Sequence, residues 1–201
     1  MQVIGLTGFA GAGKSTVAEY LVKEHGFTRL SFAAPLKKML RTLNPVLSYE
    51  LRFGGTEAEA KDYAKTLDEV FANYGDENAI KASGYGKEYR RLLQVLGTDC
   101  IRAVDEDFWV KAALAQITDN GKYVFDDCRF PNEAFVISTI NPLGLWNVTR
   151  PGFEAVNGHA SEQHAGNMGE RLWLHNGLDI EGLHDQIDAA LTVVADSAAM
   201  A

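Results

Sequence analysis

From Gln2 to Thr7 the chain is apolar at nearly every position, and the stretch that follows, Gly8 to Ser15, is small and glycine-rich. A short unbroken apolar run predicts a strand buried on both faces, the usual state of strands in parallel sheets. Apolar residues then recur at helical spacing from about Lys14 to His25, where Gly26 supplies a stop. Strand, loop and helix make half of a βαβ unit. Thr28 to Phe32 reads as a second strand, and Ala34 to Thr42 as a short basic helix with Pro35 in its first turn.

The pattern changes over residues 53–120. Thr56 and Glu59 have the spacing of a capping box and predict a charged helix over about 57–73. Tyr89, Leu92, Leu93 and Leu96 share one face of a further helix that ends at Gly97, and another runs from Asp105 or Glu106 to about Ile117. The α/β rhythm then returns. Lys122 to Asp127 and Leu145 to Thr149 read as strands flanking a helix from Pro131 to about Ile140. Residues 152–169 are polar with weak periodicity, so they read as a flap over a site. Arg171 to His175 is a last strand, and Ile180, Leu183, Ile187, Leu191 and Val194 line one face of a C-terminal helix.

These elements predict an α/β fold, a three-layer arrangement with a mostly parallel sheet flanked by helices. One domain spans 1–201, with a core of 1–52 and 121–196, a helical insertion at about 53–120 and a small flap at about 152–169. Such sheets bind ligands at the carboxyl ends of their strands.

Composition narrows the function classes. With 46% hydrophobic and 23% charged residues in 201, disorder and coiled coil are excluded. A net charge of −8 argues against a nucleic-acid polymer or an anionic membrane as the main partner. The charge is uneven: residues 1–52 carry seven basic and three acidic side chains, whereas 121–201 carry four and eleven. No apolar run approaches the roughly 20 residues of a membrane span, and Cys100 and Cys128 form no disulfide framework, so a cytoplasmic protein is expected.

Gly8-Phe9-Ala10-Gly11-Ala12-Gly13-Lys14-Ser15 fits G-x-x-x-x-G-K-[ST] at every fixed position, after a strand and before a helix, as a phosphate-binding P-loop requires. Glycines let successive amides turn inward around an anion, and the helix N-terminus adds partial positive charge. Gly8, Gly11, Ala12, Gly13, Lys14, Ser15 and Thr16 are therefore expected to hold ATP. Lys14 would reach the β and γ phosphates, the Ser15 hydroxyl would hold Mg²⁺, and Thr16 would meet the α-phosphate. An acid at the end of a neighbouring strand completes such sites. Tyr123-Val124-Phe125-Asp126-Asp127 offers two, and alternation along a strand leaves only one facing the phosphates. Asp127 is selected for the metal, with Arg129 two positions on, although a structural Asp127–Arg129 ion pair is the plainer alternative.

Further blocks carry a resemblance. Ser31-Phe32-Ala33-Ala34-Pro35-Leu36-Lys37, Leu92-Leu93-Gln94-Val95-Leu96-Gly97-Thr98-Asp99-Cys100-Ile101-Arg102, Asp127-Cys128-Arg129-Phe130-Pro131-Asn132-Glu133 and Arg150-Pro151-Gly152 stand in the order found in the bacteriophage deoxynucleoside monophosphate kinases, which the chain resembles from residue 4 to about 183. The resemblance implies transfer of the γ-phosphate of ATP to a deoxynucleoside monophosphate, a P-loop kinase fold, a host-cell cytoplasmic setting and a possible homodimer. Arginine forks suit phosphate, so Arg102 and Arg129 are candidates for the acceptor, and Arg150 for the transferring group. Gln94 and Asp99 could hydrogen-bond its base or sugar. The opening segment is also similar to dephospho-coenzyme A kinases, whose later motifs do not continue here. A nucleotide-dependent switch or assembly ATPase is the alternative from another class; the N-K-x-D guanine motif of GTPase switches is absent.

Overall fold

The computed structural model describes residues 1–52, 61–118, 120–153, 164, 166–177 and 179–199, with backbone alone for 49–52, 61–63 and 198. The chain divides into two compact units, one of Met1–Phe32 with Val110–Ala201 and one of Ala33–Trp109.

The first unit is a five-stranded sheet in the order β2-β5-β1-β6-β7. Its strands are β1 (Gln2–Thr7), β2 (Thr28–Leu30), β5 (Lys122–Phe125), β6 (Leu145–Thr149) and β7 (Leu172–His175). Every neighbouring pair is parallel. β1 lies at the centre because it is apolar on both faces: Ile4 and Leu6 pack with Val17, Leu21, Trp146, Leu183 and Ile187, whereas Val3 packs with Phe125, Ile137 and Leu145. The first set brings in α1 (Lys14–His25) and the C-terminal α8 (Ile180–Ala199); the second brings in α7 (Pro131–Ile140). Gly5 is needed where α7 crosses β1, since a Cβ there would stand 3.0 Å from Ile137 Cγ1. The chain leaves β1 toward β2 on one side and returns through β6 on the other. The topological switch point is therefore at the carboxyl end of β1, where the glycine-rich loop begins.

The second unit holds α2 (Ala34–Leu43), a hairpin of β3 (Val46–Arg52) and β4 (Lys61–Thr66), and the helices α3 (Leu67–Tyr74), α4 (Glu77–Ala82) and α5 (Gly86–Gln94). Leu40, Leu47, Leu67, Val70, Ile80 and Tyr89 form its core. Two expectations are corrected here. Residues 61–66 are strand, not helix, because Val46 to Arg52 provides an antiparallel partner whose pairing overrides local helical spacing. The helix starts only at Leu67, capped by Thr66 and Glu69: Thr66 N–H donates to Glu69 Oε2 at 2.8 Å and Glu69 N–H to Thr66 Oγ1 at 3.5 Å. The Thr56–Glu59 box lies outside the described residues. Nor does α5 end the helical path at Gly97: it continues as a π-helix over Val95–Arg102. α6 (Phe108–Leu114) follows.

Candidate active site

The loop after β1 has the backbone of an anion cradle. Gly8, Gly11 and Gly13 take φ of 126°, 81° and 107°, a region side chains disfavour, and Gly13 caps the N-terminus of α1. Close neighbours also forbid a Cβ. At Gly8 it would meet the Val148 carbonyl oxygen at 2.2 Å, and at Gly13 Asn176 Nδ2 at 2.3 Å. The Asn176 amide donates to Ala12 O at 2.9 Å and so ties the loop to the end of β7. Lys14 Nζ lies inside the loop, donating to Gly8 O at 2.5 Å and Phe9 O at 2.9 Å. Thr16 follows in the first turn of α1.

β5 ends at Phe125, and the two acids beyond it diverge. Asp126 turns to the loop: Ser15 Oγ donates to Asp126 Oδ2 at 3.3 Å, and Arg29 donates to the same carboxylate oxygen. Asp127 turns toward β2, accepting from Ser31 Oγ at 2.6 Å and Phe32 N–H at 2.9 Å. The carboxylate beside the P-loop serine is thus that of Asp126 rather than Asp127. The alternation argument selects wrongly because both acids stand beyond the last pleated residue. A hydroxyl and a carboxylate are hard oxygen donors, the set Mg²⁺ prefers.

Arg129 opens the turn into α7. Its backbone N–H and that of Phe130 donate to Glu133 Oε2 at 2.8 and 3.1 Å, so the buried Glu133 of this block holds the turn. On the other side of β1, Arg150 ends β6, its guanidinium 4.9 Å from the centre of the Phe153 ring. That ring covers Gly11, where a Cβ would stand 2.4 Å from Phe153 Cε1. Gly8, Phe9, Ala12, Asn147 and Arg150 border a cleft of about 130 Å³ here. The base of the expected flap is pinned by Glu170, which accepts from Thr7 Oγ1, Gly166 N–H and Met168 N–H, each at 2.9 Å. The flap call itself falls largely on 154–163 and 165, outside the described residues.

Against known proteins, the chain is 30% identical over 177 residues, covering 81% of each chain, to a protein of Acanthamoeba polyphaga mimivirus named "Putative deoxynucleotide monophosphate kinase". The chain belongs to the deoxynucleotide monophosphate kinase family. No protein-family model matches it. Among solved structures, TT1252 from Thermus thermophilus is similar with a TM-score of 0.41 and 19% identity, over 95% of this chain and 96% of that one.

The remaining candidates of this family member lie in the second unit. Gln94 is the last residue of α5, while Asp99 and Arg102 belong to the π-helix, a form frequent at functional sites. Gly97 lets it pack, since a Cβ would stand 2.6 Å from Leu36 Cδ2, and the buried Trp109 donates its indole N–H to Gly97 O at 2.9 Å. Arg102 Nη1 donates to Glu106 O at 3.1 Å. The basic face of α2 is not simply solvated: Lys37 pairs with Glu77 at 2.8 Å and Arg41 with Asp68 at 3.1 Å. Two contributors to the kinase site, Arg29 and Asn176, have no role assigned by sequence. Arg29 lies in a three-residue strand with no motif around it. Asn176-Gly177 is the nearest to a signal, as a loop after a strand.

Proposed function

We propose that the protein is an ATP-dependent kinase that transfers the terminal phosphoryl group of ATP to a deoxynucleoside monophosphate, leaving ADP and the diphosphate. What carries the reading is the loop from Gly8 to Ser15, with its three left-handed glycines, internal lysine and a carboxylate against its serine. Membership of the family supports it.

The loop amides and the N-terminus of α1 bind the β and γ phosphates, Lys14 neutralises them, and Thr16 meets the α-phosphate. Ser15 and Asp126 hold Mg²⁺, which supplies charge neutralisation at the phosphates. An acceptor phosphate oxygen forms the new P–O bond to the γ-phosphorus as the bond to the β–γ bridging oxygen breaks, its electron pair leaving with ADP. Arg150 and Arg129 present forks for the transferring and acceptor groups, and Gln94, Asp99 and Arg102 serve the acceptor. Asp127 keeps β2 and β5 together.

Coupled measurement of ADP release with ATP, Mg²⁺ and each deoxynucleoside monophosphate in turn tests this. At least one acceptor raises ADP release well above the acceptor-free rate; no stimulation by any of them ends the reading.

A further inference from the structure

Arg29 occupies a position that the phosphate-loop reading leaves unexplained. Its Nη2 donates to Ser15 Oγ at 3.2 Å and to Asp126 Oδ2, while Ser15 Oγ donates to that same carboxylate oxygen at 3.3 Å. The Asp126 side chain is only 12% exposed, so its charge depends on a nearby cation. On its outer side Arg29 Nη1 lies 3.7 Å from Glu19 Oε1, whose side chain is 71% exposed. Glu19 stands on α1 four positions after Ser15, one turn along the same face. One guanidinium is therefore held between an inner carboxylate that belongs to the site and an outer one that does not.

We propose that Arg29 is a positioning residue for the metal-binding pair: in the nucleotide-free protein it holds Ser15 and Asp126 together in the place of a divalent cation, and it yields to Glu19 when Mg²⁺ is bound. This rests on the phosphate-loop reading above. Guanidinium and Mg²⁺ compete for the same two oxygens and repel each other at that range, so both cannot use Asp126 at once. Glu19 offers the displaced guanidinium a partner without any change in the strand that bears it. The consequence is selective. Mg²⁺ alone must displace a bound cation, whereas Mg²⁺ arriving on a triphosphate brings its own anions to the loop.

The test uses the full chain without nucleotide, following the thermal unfolding midpoint as Mg²⁺ is added, against NaCl of equal ionic strength. Arg29→Gln lowers the Mg²⁺ concentration for half of the stabilisation by roughly tenfold, the scale of one charge-assisted pair. Glu19→Gln raises it, because the outward position is lost, and adding Asp126→Asn to Arg29→Gln abolishes the Mg²⁺ response. Opposite shifts from two residues of one ion-pair chain are not expected of a merely structural arginine. Should Arg29→Gln fail to fold, the exposed Glu19→Gln still carries the test. Half-points equal to wild type, or a Glu19→Gln shift to lower Mg²⁺, overturn the proposal. Calorimetry of wild type with MgATP runs in parallel: no binding overturns the phosphate-loop reading and this proposal with it, while binding with unchanged half-points overturns this proposal alone.

Discussion

Two adjacent carboxylates with different partners can be separated by mutation. Asp126→Asn removes charge beside Ser15 and is expected to lower kcat by roughly 100-fold with stability little changed. Asp127→Asn leaves Ser31 Oγ or Phe32 N–H poorly matched and is expected to cost about 1–3 kcal/mol in urea unfolding, with a smaller effect on turnover. The reverse pattern would return the metal role to Asp127. Lys14→Ala is expected to cut phosphoryl transfer by roughly 100-fold or more while the circular dichroism spectrum is kept, since Lys14 acts on charge rather than on packing. At this scale the site is half legible in sequence. Gly8 to Ser15 is contiguous, so its chemistry is visible in one glance along the chain. Arg29 and Asp126 are 97 positions apart, and nothing local in either marks their meeting.

Helices and strands of the first unit follow from their own residues, because each one buries a face against a regular sheet. β1 is apolar throughout, and Leu183, Ile187 and Val194 of α8 are buried at the spacing that predicts them. The second unit is less transparent. Its hairpin depends on pairing between Val46–Arg52 and Lys61–Thr66, and Lys61 to Thr66 alone is too polar to announce a strand. Gly97 reads as a stop because glycine disfavours helix interiors, yet Leu36 occupies the space its side chain would fill, and Trp109 satisfies its carbonyl. The π-helix should then depend on that indole. Trp109→Phe keeps most of the apolar contact but leaves Gly97 O without its donor, and is expected to destabilise the protein by about 1 kcal/mol in denaturant unfolding. Hydrogen exchange should quicken across Val95–Arg102 more than in α1; uniform quickening would mean that the indole secures the core rather than this element.

Across the whole molecule, response to acid should be divided unevenly. Among the described residues, carboxyls held below their ordinary range are Glu24, on α1, and Glu69, Glu77 and Glu88, all within Ala33–Trp109. The exposed three are screened by water and count for little. Glu77 is different, its side chain only 23% exposed and shared by Lys37 and Lys81. Burial pushes its carboxyl up, but the two ammonium groups more than offset that, leaving it below its usual 4.5. A carboxyl depressed in the folded state stabilises fully above its unfolded value and loses that contribution as pH falls through the folded one. The Ala33–Trp109 unit is therefore expected to weaken as pH drops below the ordinary 4.5, while the net negative charge of the chain, −8 at neutrality, is being relieved elsewhere. Hydrogen exchange followed from about pH 6 to about pH 3 should show α4 and α5 opening before β1 and β5. Glu77→Gln should lower stability at neutral pH and flatten its dependence on acid. If the variant keeps the wild-type slope, the acid response lies in other carboxylates and Glu77 is only a packing residue between two lysines.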